Sequence, residues 1–253
     1  LGRKFGQHFL KDSRILARIA AAACPDGETA RVVEIGPGKG ALTKHLLPRT
    51  AELIAIEVDP AMVEHLGIKF AGRENLHVRH ADILSVDLRE FAPCIIAGNL
   101  PYYISSPIAG KLFAAAGAWT RAVFLVQKEV ALRMAAAPGS RDYGYLSVQA
   151  QTFSTPTVLF EVPAKAFLPP PKVDSAVILL EPKPAPADAE QFLKFAMRAF
   201  AHKRKTLRNN LAPFYGKAAI EAQPEAGLRA EQVSPEGLRD LELRLRALAP
   251  VLS

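Results

Sequence analysis

Through the first two-thirds of the chain, short β-branched apolar runs alternate with stretches whose apolar residues recur every three or four positions. The runs at residues 31–36 ("RVVEIG"), 52–57, 75–80, 94–98 and 121–127 predict five strands. The stretches at 14–23, 41–48, 60–66, 107–115 and 128–136 predict intervening helices. Asp12-Ser13 caps the first, Pro48 stops the second, and Pro60 sits in the first turn of the third. Residues 145–153 read as one more helix, and 157–162 and 173–182 as two last strands. Such alternation implies right-handed crossovers and a mainly parallel sheet. Prolines in the connection 163–172 exclude a helix there, so an antiparallel pair is expected at the sheet edge.

The pattern changes at "EPKPAPADAE", residues 181–190, whose Pro, Ala and charge mark a linker. No strand pattern follows it. Leu193, Met197, Phe200, Leu207 and Leu211 recur at helical spacing over residues 191–211, interrupted by Arg204. Ser234-Pro235 opens a last helix with Leu238, Leu241, Leu245 and Leu248 on one face. The expected organisation is an α/β domain over residues 1–182 and a small all-helical domain over 183–253.

Composition narrows the class. With 253 residues, 49% hydrophobic and 23% charged, the chain is of the globular kind. Its net charge of +7 tilts the expectation toward a polyanionic partner. Cys24 and Cys94 lie in apolar contexts and read as buried thiols of a reducing compartment. No apolar run is long enough to span a bilayer, and the N-terminal stretch lacks a signal-peptide pattern, so a cytoplasmic protein with no membrane partner is expected. The six histidines form no ligand pattern, and no metal is expected.

Candidate chemistry gathers where the strands end. "VVEIGPGKGALT" follows the first strand and opens a helix, with glycines at Gly36, Gly38 and Gly40 that let backbone approach a ligand. It is neither the dinucleotide fingerprint nor a phosphate loop. Glu34 before it would repel a pyrophosphate and suits a cationic ligand, such as the amino group or sulfonium of S-adenosylmethionine. A purely structural turn is the competing reading. Glu57 ends the second strand, where a carboxylate can bind ribose hydroxyls, and Asp82 with Ile83 follows the third, placed to meet an adenine. Together these favour an adenosine-bearing cofactor. "CIIAGNLPYYIS" then turns a buried strand into an amide, a proline and aromatic rings on the same rim. A nucleobase amine is a poor nucleophile because its lone pair is delocalised. Acceptors for its two N–H groups favour a more tetrahedral nitrogen. Asn99 offers a side-chain oxygen, Leu100 a carbonyl freed by Pro101, and Tyr102 a ring for stacking.

These residues carry a resemblance to the rRNA adenine dimethyltransferase family, and most closely to its bacterial small-subunit branch. The matching stretches include "KFGQHFLKD", "VVEIGPGKGALT", "ADIL", "GNLPYYIS", "VPAKAFLPPPKVDSAV" and "AFAHKRKTLRNNL", in the family's order. The resemblance implies a Rossmann-like methyltransferase domain, a helical C-terminal domain and S-adenosylmethionine as donor. It also implies dimethylation of two adjacent adenosines near the 3′ end of small-subunit rRNA. By the same resemblance Gln7, His8, Leu10, Glu34, Gly36, Gly38, Glu57, Asp82, Ile83 and Asn99 meet the cofactor. Asn99, Leu100 and Tyr102 then handle the target amine, and Phe167 is the second aromatic enclosing a flipped base. Two positions depart from the family's usual form, His8 (commonly Asn) and Tyr103 (commonly Asn).

The stretch "AHKRKTLRNN" concentrates Lys203, Arg204, Lys205 and Arg208, and "GRKFG" adds Arg3 and Lys4. Such a set suits phosphate contacts that position RNA without reading sequence, while a merely solvated basic helix is the alternative. The expected partner is the small ribosomal subunit and its rRNA, engaged by a monomer. Three rival functions stand beside this one. They are a large-subunit rRNA adenine methyltransferase of the macrolide-resistance type, an assembly or nucleic-acid-binding factor whose catalysis is vestigial, and a small-molecule methyltransferase.

Overall fold

The computed structural model describes residues 8–25, 29–102 and 104–248. Its elements follow in chain order as β1 Phe9–Leu10, α1 Ser13–Ala23, β2 Thr29–Ile35, α2 Thr43–Leu46, β3 Thr50–Glu57, α3 Pro60–Lys69 and β4 Leu76–His80. Then come β5 Cys94–Asn99, α4 Ser105–Ala114, β6 Trp119–Gln127, α5 Lys128–Ala135, α6 Tyr145–Phe153, β7 Ser154–Val162, β8 Phe167–Leu168 and β9 Ser175–Pro182. The helices α7 Ala189–Ala199, α8 Leu207–Tyr215, α9 Lys217–Glu221 and α10 Pro235–Leu248 complete the chain.

Seven strands form one sheet in the order β4-β3-β2-β5-β6-β9-β7. The central strands read as unbroken apolar runs because helices cover both faces: Val32, Val33, Leu53, Ala55, Ile96, Ala97, Val123 and Leu125 are all fully buried. β2 to β6 run parallel, and β9 is antiparallel to β6 and to β7, as the proline-rich connection requires. Successive strands step outward from β2 to β4, then restart at β5 on its other side. The chain therefore diverges above the carboxyl ends of β2 and β5, the switch point where open α/β sheets hold ligands. An unforeseen two-stranded ribbon pairs Phe9 with Leu168 and Leu10 with Phe167, tying β1 to the connection before β9.

The chain divides into two compact units. One comprises the residues up to Ala131 with Ser154–Pro184, and the other comprises Leu132–Phe153 with the chain from Ala185 onward. The expected single boundary at 182/183 therefore needs correction: the cut near 184 is there, but the segment containing α6 belongs to the helical unit. Ala136, Tyr143 and Val148 are built into that unit's core with Phe192, Phe195 and Leu241. The Tyr143 hydroxyl donates to the Val233 carbonyl at 3.0 Å.

Within the helical unit, the continuous helix expected over 191–211 is broken. α7 ends at Ala199 and α8 starts at Leu207, capped by Thr206. The Asn210 side-chain amide donates to the Ala199 carbonyl at 2.7 Å, one that α7 leaves open, and to that of His202 in the turn at 3.3 Å. The buried face of α7 is Phe192, Phe195, Ala196 and Ala199, so Met197, expected inside, is 57% exposed. On α10, Leu238, Leu241 and Leu245 are buried and Leu248 is exposed.

Candidate active site

The glycine loop is built by the strands around it. Gly36 and Gly38 have φ of +65° and +52°, a left-handed backbone that other residues rarely adopt. A Cβ on Gly36 would meet nothing within 4 Å, which leaves the backbone bare toward the cavity. A Cβ on Gly40 would lie 2.5 Å from the Phe70 ring, so that glycine serves close packing against α3.

Glu57 organises this loop. Its Oε2 accepts from the Gly38 N–H at 2.9 Å, and its Oε1 accepts from the Val58 and Asp59 N–H groups, each at 3.0 Å. One buried carboxylate thus fastens the turn after β2 to the turn after β3, with acceptor capacity remaining for a further donor. Glu34 is 1% exposed and accepts from the Thr43 hydroxyl at 2.7 Å. Burial lifts its carboxyl to about 7, against the Thr43 bond, and the Glu57 charge adds to the rise. Asp82 is exposed and uses one oxygen on the Leu84 N–H at 2.9 Å, while Ile83 beside it is buried.

The end of β5 carries the polar group that the sequence singles out. Asn99 Nδ2 donates to the His8 carbonyl at 3.4 Å, which leaves Oδ1 without a partner among the described residues. Buried Leu100 donates its N–H to the Leu125 carbonyl at 3.0 Å and so stays anchored to the sheet. The Tyr102 hydroxyl shares a 2.7 Å hydrogen bond with Ser175 Oγ on β9. Burial raises its phenol above the ordinary range, so the ring is neutral at physiological pH. His8 stacks on that ring with centroids 5.8 Å apart and planes 27° apart. Its Nδ1 lies 2.8 Å from the Pro169 carbonyl, and since a carbonyl only accepts, Nδ1 carries the proton.

One cavity at the switch point brings these groups together. His8, Leu10, Glu34, Gly36, Gly38, Glu57, Asp82, Ile83, Asn99, Leu100 and Tyr102 all line it. Phe167 does not. Its ring is 1% exposed and packs into the sheet unit's core with Leu10, Val162 and Val177. The expectation that it faces a flipped base is corrected for this structure, because β1 pairs over β8 and the side chain points inward. The ring lying against Tyr102 is His8. Gln7, Arg3 and Lys4 lie outside the described residues. Lys203, Arg204, Lys205 and Arg208 are not at this cavity; they are exposed on the helical unit, at and after the turn between α7 and α8.

Sequence reasoning missed three contributors. Thr43 and Ser175 stand inside matched stretches, but their partners are nine and seventy-three residues away, beyond any periodic signal. Phe9, which lines the cavity, also meets Gly38: a Cβ there would lie 3.1 Å from its ring. Among the described residues, no group of three or more His, Cys, Asp or Glu is arranged to hold a metal.

A buried acid, a bare glycine turn, an apolar wall at Ile83 and two carboxylates on adjoining strand ends fit a cationic, adenosine-bearing group. The family model for ribosomal RNA adenine dimethylase matches residues 1–235. The chain belongs to that family. Its relatives include the ribosomal RNA small subunit methyltransferase A of Koribacter versatilis, 41% identical across 96% of this chain and 94% of the relative. Two solved structures share the fold over almost the whole chain. A dimethyladenosine transferase from Plasmodium falciparum has a TM-score of 0.81 and 26% identity, covering 95% of this chain and 98% of its own. The 23S rRNA methyltransferase ErmE has a TM-score of 0.74 and 28% identity, covering 94% and 99%. Like other members of the adenine dimethylase family, the protein is a Rossmann-like methyltransferase that uses S-adenosylmethionine.

Proposed function

We propose that this enzyme dimethylates the exocyclic amines of two adjacent adenosines near the 3′ end of small-subunit rRNA, during subunit assembly. The observation carrying this reading is Asn99: its amide N–H is engaged by the His8 carbonyl, so Oδ1 is oriented and open at the cofactor cavity. When bound, S-adenosylmethionine supplies an electrophilic methyl group on a sulfonium. Glu57 would accept from its ribose hydroxyls, Asp82 from its adenine amine, and Ile83 would cover the adenine. Gly36 and Gly38 would admit the cofactor, Glu34 would favour its positive charge, and His8 and Leu10 would close the N-terminal side; the family resemblance assigns Gln7 to the same group.

Asn99 Oδ1 and the Leu100 carbonyl accept the two N–H groups of the target amine and favour a pyramidal nitrogen. The Leu100 carbonyl accepts no hydrogen bond from a described residue. Tyr102, its hydroxyl hydrogen-bonded to Ser175, stacks on the base and favours the positive charge that develops on nitrogen. The base reaches that ring by displacing His8 from it. The methylated amine then loses its proton to water, so no strong base is required, in keeping with a phenol that stays neutral. Lys203, Arg204, Lys205 and Arg208, with Arg3 and Lys4, hold rRNA phosphates. The enzyme works as a cytoplasmic monomer on the small subunit.

The test is transfer of labelled methyl from S-adenosylmethionine to unmethylated small subunits, to large subunits and to protein-free rRNA. Dimethyladenosine in the small-subunit rRNA is the expected product. Label in large-subunit rRNA would place the enzyme with the resistance methyltransferases. No label, with cofactor bound, would make it a binding factor.

A further inference from the structure

Among the described residues, Phe214 is the one phenylalanine, tyrosine or tryptophan that is exposed, with 53% of its surface open. It lies in the last turn of α8 in the helical unit. The Arg198 guanidinium from the last turn of α7 lies 4.3 Å from its ring centroid and covers one face. Met197, next to Arg198 in sequence, is 57% exposed. An isolated exposed apolar side chain is ordinary on a protein surface. This one is set in an unusual field. Over residues 191–220 the chain carries Lys194, Arg198, Lys203, Arg204, Lys205, Arg208 and Lys217; Glu190 and Glu221 at the margins pair with Lys194, Arg208 and Lys217, and no carboxylate pairs with Arg198, Lys203, Arg204 or Lys205 among the described residues. Arg204 and Lys205 are exposed at the turn between α7 and α8, which lies roughly 10 Å from Phe214 by the helical rise.

We propose that Phe214 and the Arg198 guanidinium form a stacking platform for one unpaired base of an RNA strand whose phosphates run along the turn at 202–208. The reading rests on the RNA contact assigned to that turn and adds to it a base-holding site away from the catalytic cavity. A flat ring with a cation at its edge or face accepts any base, because every base offers a π-face, while the surrounding cations hold the backbone. The platform thus recognises single-stranded, splayed-out RNA and not a paired helix, whose bases are already stacked.

The test uses the full chain carrying Phe214→Trp as a fluorescent reporter. The one native tryptophan, Trp119, is 2% exposed and contributes a constant background. The probes are deca-adenylate, a self-complementary RNA duplex, and heparin as a polyanion without bases. Quenching of the introduced indole by deca-adenylate, weak quenching by duplex and none by bound heparin is the expected result. In parallel, Phe214→Leu should bind deca-adenylate about ten-fold more weakly with an unchanged salt dependence. Lys205→Ala should lower the salt slope by about one. Deca-adenylate binding without quenching, and with Phe214→Leu at wild-type affinity, would overturn the platform while leaving the basic turn as an RNA contact. If neither deca-adenylate nor heparin binds, the platform and the RNA contact fall together. Circular dichroism confirms that each variant is folded.

Discussion

Replacing Glu34 with Gln should change how stability depends on pH. Glu34 is fully enclosed, and burial holds its carboxyl near 7, against 4.5 when unhindered. Below pH 4 both folded and unfolded chains keep the proton and the group has no effect. Between about 4.5 and 7 the unfolded chain releases its proton and the folded chain retains it, so stability falls as pH rises. Above 7 both states are ionised and the loss levels off. With those two values the loss between pH 5 and pH 8 comes to about 2.5 kcal/mol. Glu34→Gln has nothing to titrate there, while its amide oxygen can still accept from the Thr43 hydroxyl. The uncharged amide adds a fixed offset of its own, so the informative quantity is the slope. Urea unfolding of both proteins at half-unit steps from pH 5 to pH 8 gives it directly. The difference in stability, variant minus wild type, should grow with pH by about that amount and flatten above 7. Parallel profiles would refute the reasoning: Glu34 would then be solvated or already paired.

Glu57→Gln should weaken S-adenosylmethionine binding and destabilise the fold by about 2–4 kcal/mol, since an amide offers one oxygen to three backbone donors; calorimetry with cofactor and thermal unfolding read the two effects separately. Asn99→Ala should reduce methyl transfer at least about a hundred-fold while cofactor affinity changes little, measured by single-turnover transfer and equilibrium binding; normal turnover would remove the amine-orienting role. Ser175→Ala frees the Tyr102 hydroxyl, so kcat should fall about ten-fold with cofactor affinity intact, and Ser175→Thr should restore part of it; equal loss in both variants would make Ser175 a packing residue only.

The parallel sheet was legible because burial on both faces writes itself as uninterrupted apolar runs, as in residues 53–56 and 122–126. The cavity groups were legible because the switch point gathers strand ends, and strand ends can be read as the residues where those runs stop. Four things escaped. The ribbon of β1 with β8 spans two residues on each side, too short for any alternation to register. Phe167 enters as a site aromatic only through the family resemblance, and its ring lies in the core. On α7, apolar residues occupy two adjacent stripes, and the chosen stripe through Leu193 and Met197 lies one position from the one that Phe192 and Phe195 bury. The length of that helix also hid its break, because Asn210 stops it from a position in the next helix.

The interrupted layout of the helical unit has a consequence for synthesis on the ribosome. The sheet's last strand, β9, is complete at Pro182, whereas α6, made earlier, packs with α10, which begins about eighty residues after α6 ends. At typical elongation rates that separation is roughly 4–16 s. Until α7, α8 and α10 have all been made, Tyr143 and Val148 lack most of the core that they enter in the finished chain. The nascent chain therefore displays a sticky segment in its middle, and truncation anywhere between 184 and 235 makes that condition permanent. Fragments ending there should be captured by chaperones or aggregate, even though every strand of the sheet is present.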